Sequence, residues 1–274
     1  MNAPIRFRLL AGTSLLLVLG GAWLYFGSAS ADDQAAGTPG RLKPAHTPPS
    51  DLITGSTDGA QPETMEQFLT AVTTDVDAYW TKVFEASGLD APRVTYDWIP
   101  DGQSAASVCG DESGTLGDGA AAYCPGDDTI YISQSFATEI YDGSLNEALP
   151  GSSQGYGGAT GDFAVAYIVA HEYGHEIQDE LALFDEYGGQ LPTMAFELQA
   201  DCYAGTWANS AYQENRLEDG DVQEALDAAL AVGDFDSSSP GHHGTPEQRE
   251  EAWQTGFESG DPSTCDSYLQ PTTS

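Results

Sequence analysis

The stretch from Phe163 to Gln178 limits what this chain can fold into more than any other part of it. Phe163-Ala164-Val165-Ala166-Tyr167-Ile168-Val169-Ala170 is nearly all apolar, with no turn-forming residue. An unbroken apolar run that continues into a longer pattern suits a buried helix. It runs directly into His171-Glu172-Tyr173-Gly174-His175. Residues four apart on a helix are separated by about 40°, so both imidazoles occupy one face. Glu172 is about 100° from His171 and about 60° from His175, on the same side. Polar groups on a buried face are costly unless something pairs with them. A divalent cation does so, and H-E-x-x-H on a helix is the pattern of a zinc site with glutamate as general base. Chance would put this pattern in a chain of such composition about 0.006 times.

Zinc in a hydrolytic centre usually takes three protein ligands and keeps a position for water. The third ligand is expected from a second helix. Glu197-Leu198-Gln199-Ala200-Asp201 begins 22 residues beyond His175, within an apolar helical pattern that includes Met194, Phe196, Cys202, Tyr203 and Trp207. Glu197 and Asp201 are four apart and share a face. Glu197 is therefore assigned to the metal. Asp201 is assigned to the ring N–H of a ligand histidine, which would fix its tautomer.

Ala170 to Gln178 together with Glu197 to Gly205 resembles the neutral zinc metallopeptidases, bacterial envelope proteins of the zincin class with a glutamate third ligand. The likeness spans about residues 64–268. It includes Cys109-Gly110, Tyr123-Cys124-Pro125-Gly126-Asp127, His243-Gly244-Thr245 with Gln248-Arg249, and Cys265-Asp266. The resemblance implies a zincin-like α+β fold, one Zn2+ ion, cleavage of peptide bonds and, frequently, an N-terminal membrane anchor. Glu176 departs from the family, which commonly has a second histidine there. His243 is the candidate hydrogen-bond donor to the oxyanion of the reaction, with Tyr203 second, because each lies in a shared stretch.

Charge narrows the partners. The chain holds 43 Asp plus Glu against 8 Lys plus Arg, a formal net charge of −35. No basic cluster exists beyond the first few residues, which excludes phosphate-neutralising nucleic-acid binding and adhesion to an anionic membrane through a basic patch. Arg6 and Arg8, the apolar segment Leu9–Phe26 and the ending Ala29-Ser30-Ala31 make residues 1–31 a signal peptide or a signal anchor. Both place the remainder outside the cytoplasm. There, four cysteines without a C-x-x-C pair read as two disulfides. Three pairings are open; Cys109–Cys124 is favoured because a short loop closes without a particular global fold. Cys202–Cys265 then ties the C-terminus to a central helix.

The organisation that follows is a linker over 32–62, a metallopeptidase domain over 63–268 and a tail over 269–274. The fold class is α+β, a helix-dominated single domain with a small sheet. Met65 to Val83 repeats apolar residues at steps of three and four, an amphipathic helix ended by Gly88 and Pro92. Strands are expected at Val94–Tyr96 and Thr129–Ile132, the latter offering an edge to an extended peptide. Six glycines in 143–161 suggest a mobile loop over the cleft. Further helices are expected around 163–182, 193–213, 221–231 and 246–257, the last opened by the capping box Thr245-Pro246-Glu247-Gln248. The expected function is an extracytoplasmic zinc metalloendopeptidase acting on peptide or protein substrates with Glu172 as base. The other reading is a non-catalytic envelope binding protein that uses zinc for stability. A structural zinc site is normally closed by four protein ligands, and three plus a base favour the enzyme.

Overall fold

A computed structural model describes residues 64–270 apart from residue 112. The signal or anchor segment, the linker and the end of the tail lie outside the described residues. Helix α1 (Met65–Ser87) forms where the three–four periodicity places it. Thr64 caps its start by accepting from the Gln67 amide, and Gly88 ends it at φ 78°. Its inner face buries Leu69, Val72, Val76, Trp80 and Val83.

The chain then makes a three-stranded sheet from β1 (Thr95–Ile99), β4 (Ala121–Cys124) and β5 (Thr129–Ser133). A short ribbon, β2 (Ala105–Ala106) with β3 (Thr115–Leu116), lies between them in sequence. The spatial order is β1-β5-β4, with β1 parallel and β4 antiparallel to β5. Strand β5 is thus the centre of the sheet and both of its edges are occupied. This corrects the expectation that 129–132 offers an edge to a peptide; the continuous apolar run Ile130-Tyr131-Ile132 is that of a strand covered on both faces. The Cys109–Cys124 bridge joins the loop after β2 to the end of β4.

The described residues form seven α-helices, two of which, Gln134–Tyr141 and Leu183–Tyr187, the sequence reading did not anticipate. After α2 (Gln134–Tyr141) come α3 (Asp162–Glu180), α4 (Leu183–Tyr187), α5 (Thr193–Gln213), α6 (Asp221–Val232) and α7 (Pro246–Ser259). The capping box at Thr245 and Gln248 is formed in both directions. Helix α3 buries every residue from Phe163 to Gln178, as its unbroken apolar run requires. It packs on α5 through Gly174, where a Cβ would lie 3.0 Å from the Ala200 Cα. Helix α5 packs on α7 just as closely, since a Cβ on Gly205 or Gly256 would collide with the facing backbone carbonyl. The Cys202–Cys265 bridge fastens the final 3₁₀ turns (Pro262–Leu269) to α5. Both disulfides match the favoured pairing.

Segment 143–161 departs from expectation. It packs against α6 instead of covering the cleft: the Gly151 amide donates to the Ala231 carbonyl at 2.8 Å, and Leu149 and Ala159 are buried. Its glycines permit close approach of backbones, a role that composition alone does not separate from mobility. Among the described residues no helix is long and apolar enough to cross a membrane.

Candidate metal centre

Helices α3 and α5 bring His171, His175 and Glu197 together, with one potential ligand atom from each within 4.8 Å of the others. The Nε2 atoms of the two histidines are 3.2 Å apart. Glu197 Oε2 lies 3.3 Å from His171 Nε2, and Oε1 lies 3.6 Å from His175 Nε2. Gly174 makes this approach possible because it sits between the two histidines and lets α5 come in at van der Waals distance.

The supporting contacts decide which ring nitrogens are available. His171 Nδ1 is 2.8 Å from Asp201 Oδ1, an acceptor, so Nδ1 carries a proton and Nε2 is the nitrogen left to meet a cation. Asp201 therefore stands where its spacing from Glu197 predicted. His175 Nδ1 meets Gln178 Oε1 at 2.8 Å. The Gln178 amide cannot be reversed, because its Nε2 donates to the Phe196 carbonyl at 2.7 Å and to Gln199 Oε1 at 3.1 Å. His175 thus turns an unprotonated Nε2 toward Glu197. Both Glu197 oxygens are buried and accept no hydrogen bond. Two imidazole nitrogens and a bare carboxylate converging in a buried space fit a borderline-soft dication such as zinc.

Three contributors escaped the sequence reading. Arg249, from the first turns of α7, forks onto Asp201: Nε reaches Oδ2 at 2.8 Å and an Nη reaches Oδ1 at 2.9 Å. The same nitrogen is 3.8 Å from Glu197 Oε2. Tyr167 donates to Asp201 Oδ1 at 2.6 Å, and Gln178 orients His175 as above. Tyr167 and Gln178 lie four before His171 and three after His175, so helical spacing would have found them. Nothing in the spacing pointed to Arg249.

Glu172 faces the sheet. Its Oε2 accepts from the Tyr123 backbone amide of β4 at 2.8 Å. Burial pushes its carboxyl up to about 7, against the opposing pull of His171. For His171 burial acts downward most strongly, but the charge and hydrogen bond of Asp201 together with the nearby Glu197 carboxylate outweigh it and the ring rises to about 9, so a cation binding here would displace a proton from Nε2. His175 falls to about 4, chiefly through burial. Glu197, although buried, is held well below the usual carboxylate range by His243 first and then by His171 and His175.

His243 lies at the mouth of the centre. Its side chain is 23% exposed, against 3% for His171, 1% for His175 and 0% for Glu197. Asp234 accepts its backbone N–H at 2.8 Å and lies 3.3 Å from its Nδ1. Tyr203 is oriented differently. It lies in the core edge-on to Trp80, with ring centroids 5.1 Å apart and its hydroxyl buried without a hydrogen-bond partner. Glu176 is buried outside the ligand set, and desolvation pushes its carboxyl up to about 9.

A fold in which helices present H-E-x-x-H and a glutamate to one buried point beside a small sheet defines a metallopeptidase-type centre. The chain belongs to the family described as "Putative neutral zinc metallopeptidase", whose model matches residues 10–268. Among relatives, it is 39% identical over 165 residues to the uncharacterized protein YpfJ of Escherichia coli K12, covering 53% of each chain. It is 34% identical over 184 residues to the uncharacterized protein Mb2605 of Mycobacterium bovis, covering 58% of each. The chain thus spans little more than half the length of the curated relatives it matches. No solved structure matches it.

Proposed function

We propose that this chain is an extracytoplasmic zinc-dependent endopeptidase in which His171, His175 and Glu197 hold one zinc ion and Glu172 is the general base. The observation that carries the reading is the pair of unpartnered, buried Glu197 oxygens facing two imidazole nitrogens whose outer edges are already engaged. Zinc at that point supplies a Lewis acid and lowers the pKa of water toward about 7.

The protein's own groups do the rest. Glu172 is anchored by the Tyr123 amide and raised toward neutrality by burial, so it can take a proton from the attacking water and give it to the departing amine. Asp201, fixed by the Arg249 fork, keeps His171 in one tautomer. His243, more exposed than the metal-facing residues and with its charge reaching Glu197, would donate to the oxyanion of the carbonyl under attack. Strand β4, paired to β5 on one edge only, replaces β5 as the strand along which an extended peptide could align. Two disulfides suit an oxidising compartment.

The test compares zinc content and peptide hydrolysis of the full chain with those of Glu172→Gln and Glu197→Ala. Zinc retained in Glu172→Gln with hydrolysis lost supports the reading. Zinc retained by parent and Glu172→Gln, with hydrolysis in neither, gives the site to the binding-protein alternative. Undiminished zinc in Glu197→Ala removes the third ligand.

A further inference from the structure

A file of buried amides leads from the metal centre to the Cys202–Cys265 bridge. His175 Nδ1 donates to Gln178 Oε1 at 2.8 Å, and Gln178 Nε2 donates onward to Gln199 Oε1 at 3.1 Å. Gln199 Nε2 then donates to the Cys265 backbone carbonyl at 3.5 Å. Gln199 and Cys202 are three apart on α5 and share a face, which sets the amide beside the bridge. His175, Gln178, Gln199, Cys202 and Cys265 are each at most 1% exposed, so solvent does not readily replace a lost partner.

All the donors in this file run one way. A neutral imidazole carries one proton, and the acceptor at Nδ1 leaves Nε2 free for a cation. Each amide offers one oxygen as acceptor and two N–H groups as donors. Gln199 gives its oxygen to Gln178 and keeps its nitrogen for Cys265; reversed, it would set nitrogen against nitrogen. Gln178 is held at two points, by the Phe196 carbonyl at 2.7 Å and by Gln199. The Cys265 carbonyl holds Gln199 in its orientation, and it belongs to the final 3₁₀ turns that the bridge fastens to α5. At 3.5 Å this link is the longest of the three, and a shift of those turns breaks it first.

We infer that Gln199 is a positioning residue that makes the hold on His175, and with it metal affinity, depend on the formed Cys202–Cys265 disulfide. The inference rests on the zinc-site reading for the identity of the cation and on the hydrogen bonds alone for the coupling. Bridge formation is thiol–disulfide exchange: a small-molecule disulfide takes two electrons and two protons from the two cysteine thiols and leaves as two thiols. Both cysteines are buried in the finished protein, so the exchange belongs to folding, before the terminal turns close over α5. A reduced chain has all three metal-facing side chains but a looser His175, and it holds zinc less tightly than the oxidised chain. The Cys109–Cys124 bridge lies outside this file and serves as the control.

Two measurements on the full chain test it. The first needs no metal: NMR follows exchange of the His175 ring proton with water in the zinc-free protein. Gln199→Met, close in volume but without the polar ends, should speed this exchange about tenfold or more. The second is zinc affinity by competition with a chromophoric chelator. Gln199→Met should lower it about three- to tenfold, the equivalent of one hydrogen bond. Cys202→Ala with Cys265→Ala should do the same, and all three changes together should stay within about twofold of either alone, because both break one file. Cys109→Ala with Cys124→Ala should leave both readouts within about twofold of the parent. An equal loss of affinity from removing either bridge, or losses that multiply in the combined variant, overturns the inference. Parent-like ring-proton exchange in Gln199→Met also overturns it, and this variant keeps both bridges should the cysteine variant fail to fold. Faster exchange in Gln199→Met and in the Cys202–Cys265 variant, in a protein that binds no zinc, upholds the coupling and overturns the zinc reading.

Discussion

Replacing Gly174 with alanine sets two helix effects against each other. In an exposed helix the change would stabilise by about 1 kcal/mol, because alanine restricts the unfolded chain and shields the backbone. Here the new methyl would lie 3.0 Å from the Ala200 Cα and 3.1 Å from both the Ala200 Cβ and carbonyl oxygen. Ordinary contacts of this kind are several tenths of an ångström longer, and the obstructing atoms are mostly backbone. Helices α3 and α5 must separate, at an overpacking cost of about 1–3 kcal/mol. The net effect on the metal-free protein is a loss of about 0–2 kcal/mol.

The effect on the centre should be larger. His171 and His175 ride on α3 and Glu197 on α5, while metal–ligand distances tolerate only about 0.2 Å. Zinc affinity should therefore fall about 10–100-fold, comparable to loss of a supporting contact. Competition with a chromophoric chelator measures the affinity, and urea unfolding of the chelated protein measures stability. Zinc affinity within twofold of the parent, together with a raised unfolding midpoint, would refute the claim that this glycine sets the separation of the ligand helices.

Asp201→Asn should destabilise the chelated protein by about 3–5 kcal/mol, because it strands the buried Arg249; adding Arg249→Met should recover part of that loss in the same unfolding assay. Replacing Cys202 and Cys265 by alanine should cost about 4 kcal/mol, and replacing Cys109 and Cys124 about 3 kcal/mol, since the first pair closes 63 residues and the second 15. Burial and the neighbouring Asp162 and Glu224 carboxylates push Asp221 up to about 6. The folded state thus holds this proton more tightly than the unfolded one, so the group's contribution is present below about pH 4 and lost as pH rises to about 6. Asp221→Asn, which keeps an oxygen for the Glu218 amide, should gain on the order of 1 kcal/mol at pH 8 and little at pH 4. Thermal unfolding across that range checks it, and an equal shift at both pH values would refute it.

The local parts of the fold were legible in the sequence. The apolar run before His171 read as a buried helix, and α5 spans the residues its periodicity predicted. Glu197 and Asp201 were readable because both are fixed by four-residue spacing on one helix. The distant parts were not. Arg249 reaches Asp201 across 48 residues of sequence, and its partner depends on how closely α5 and α7 pack. The central place of β5 depends on a parallel pairing with β1 that no hairpin turn announces. The glycines of 143–161 read as freedom of movement, but they serve contact with α6.

The Arg249 fork also governs when the centre can assemble. Synthesis proceeds from the N-terminus, so the imidazoles and both carboxylates leave the ribosome well before the guanidinium that neutralises one of them. A nascent or truncated chain ending ahead of α7 has every metal-facing group yet must bury Asp201 without its counter-ion. The metal centre is in this sense completed only when the guanidinium of α7 arrives to neutralise Asp201.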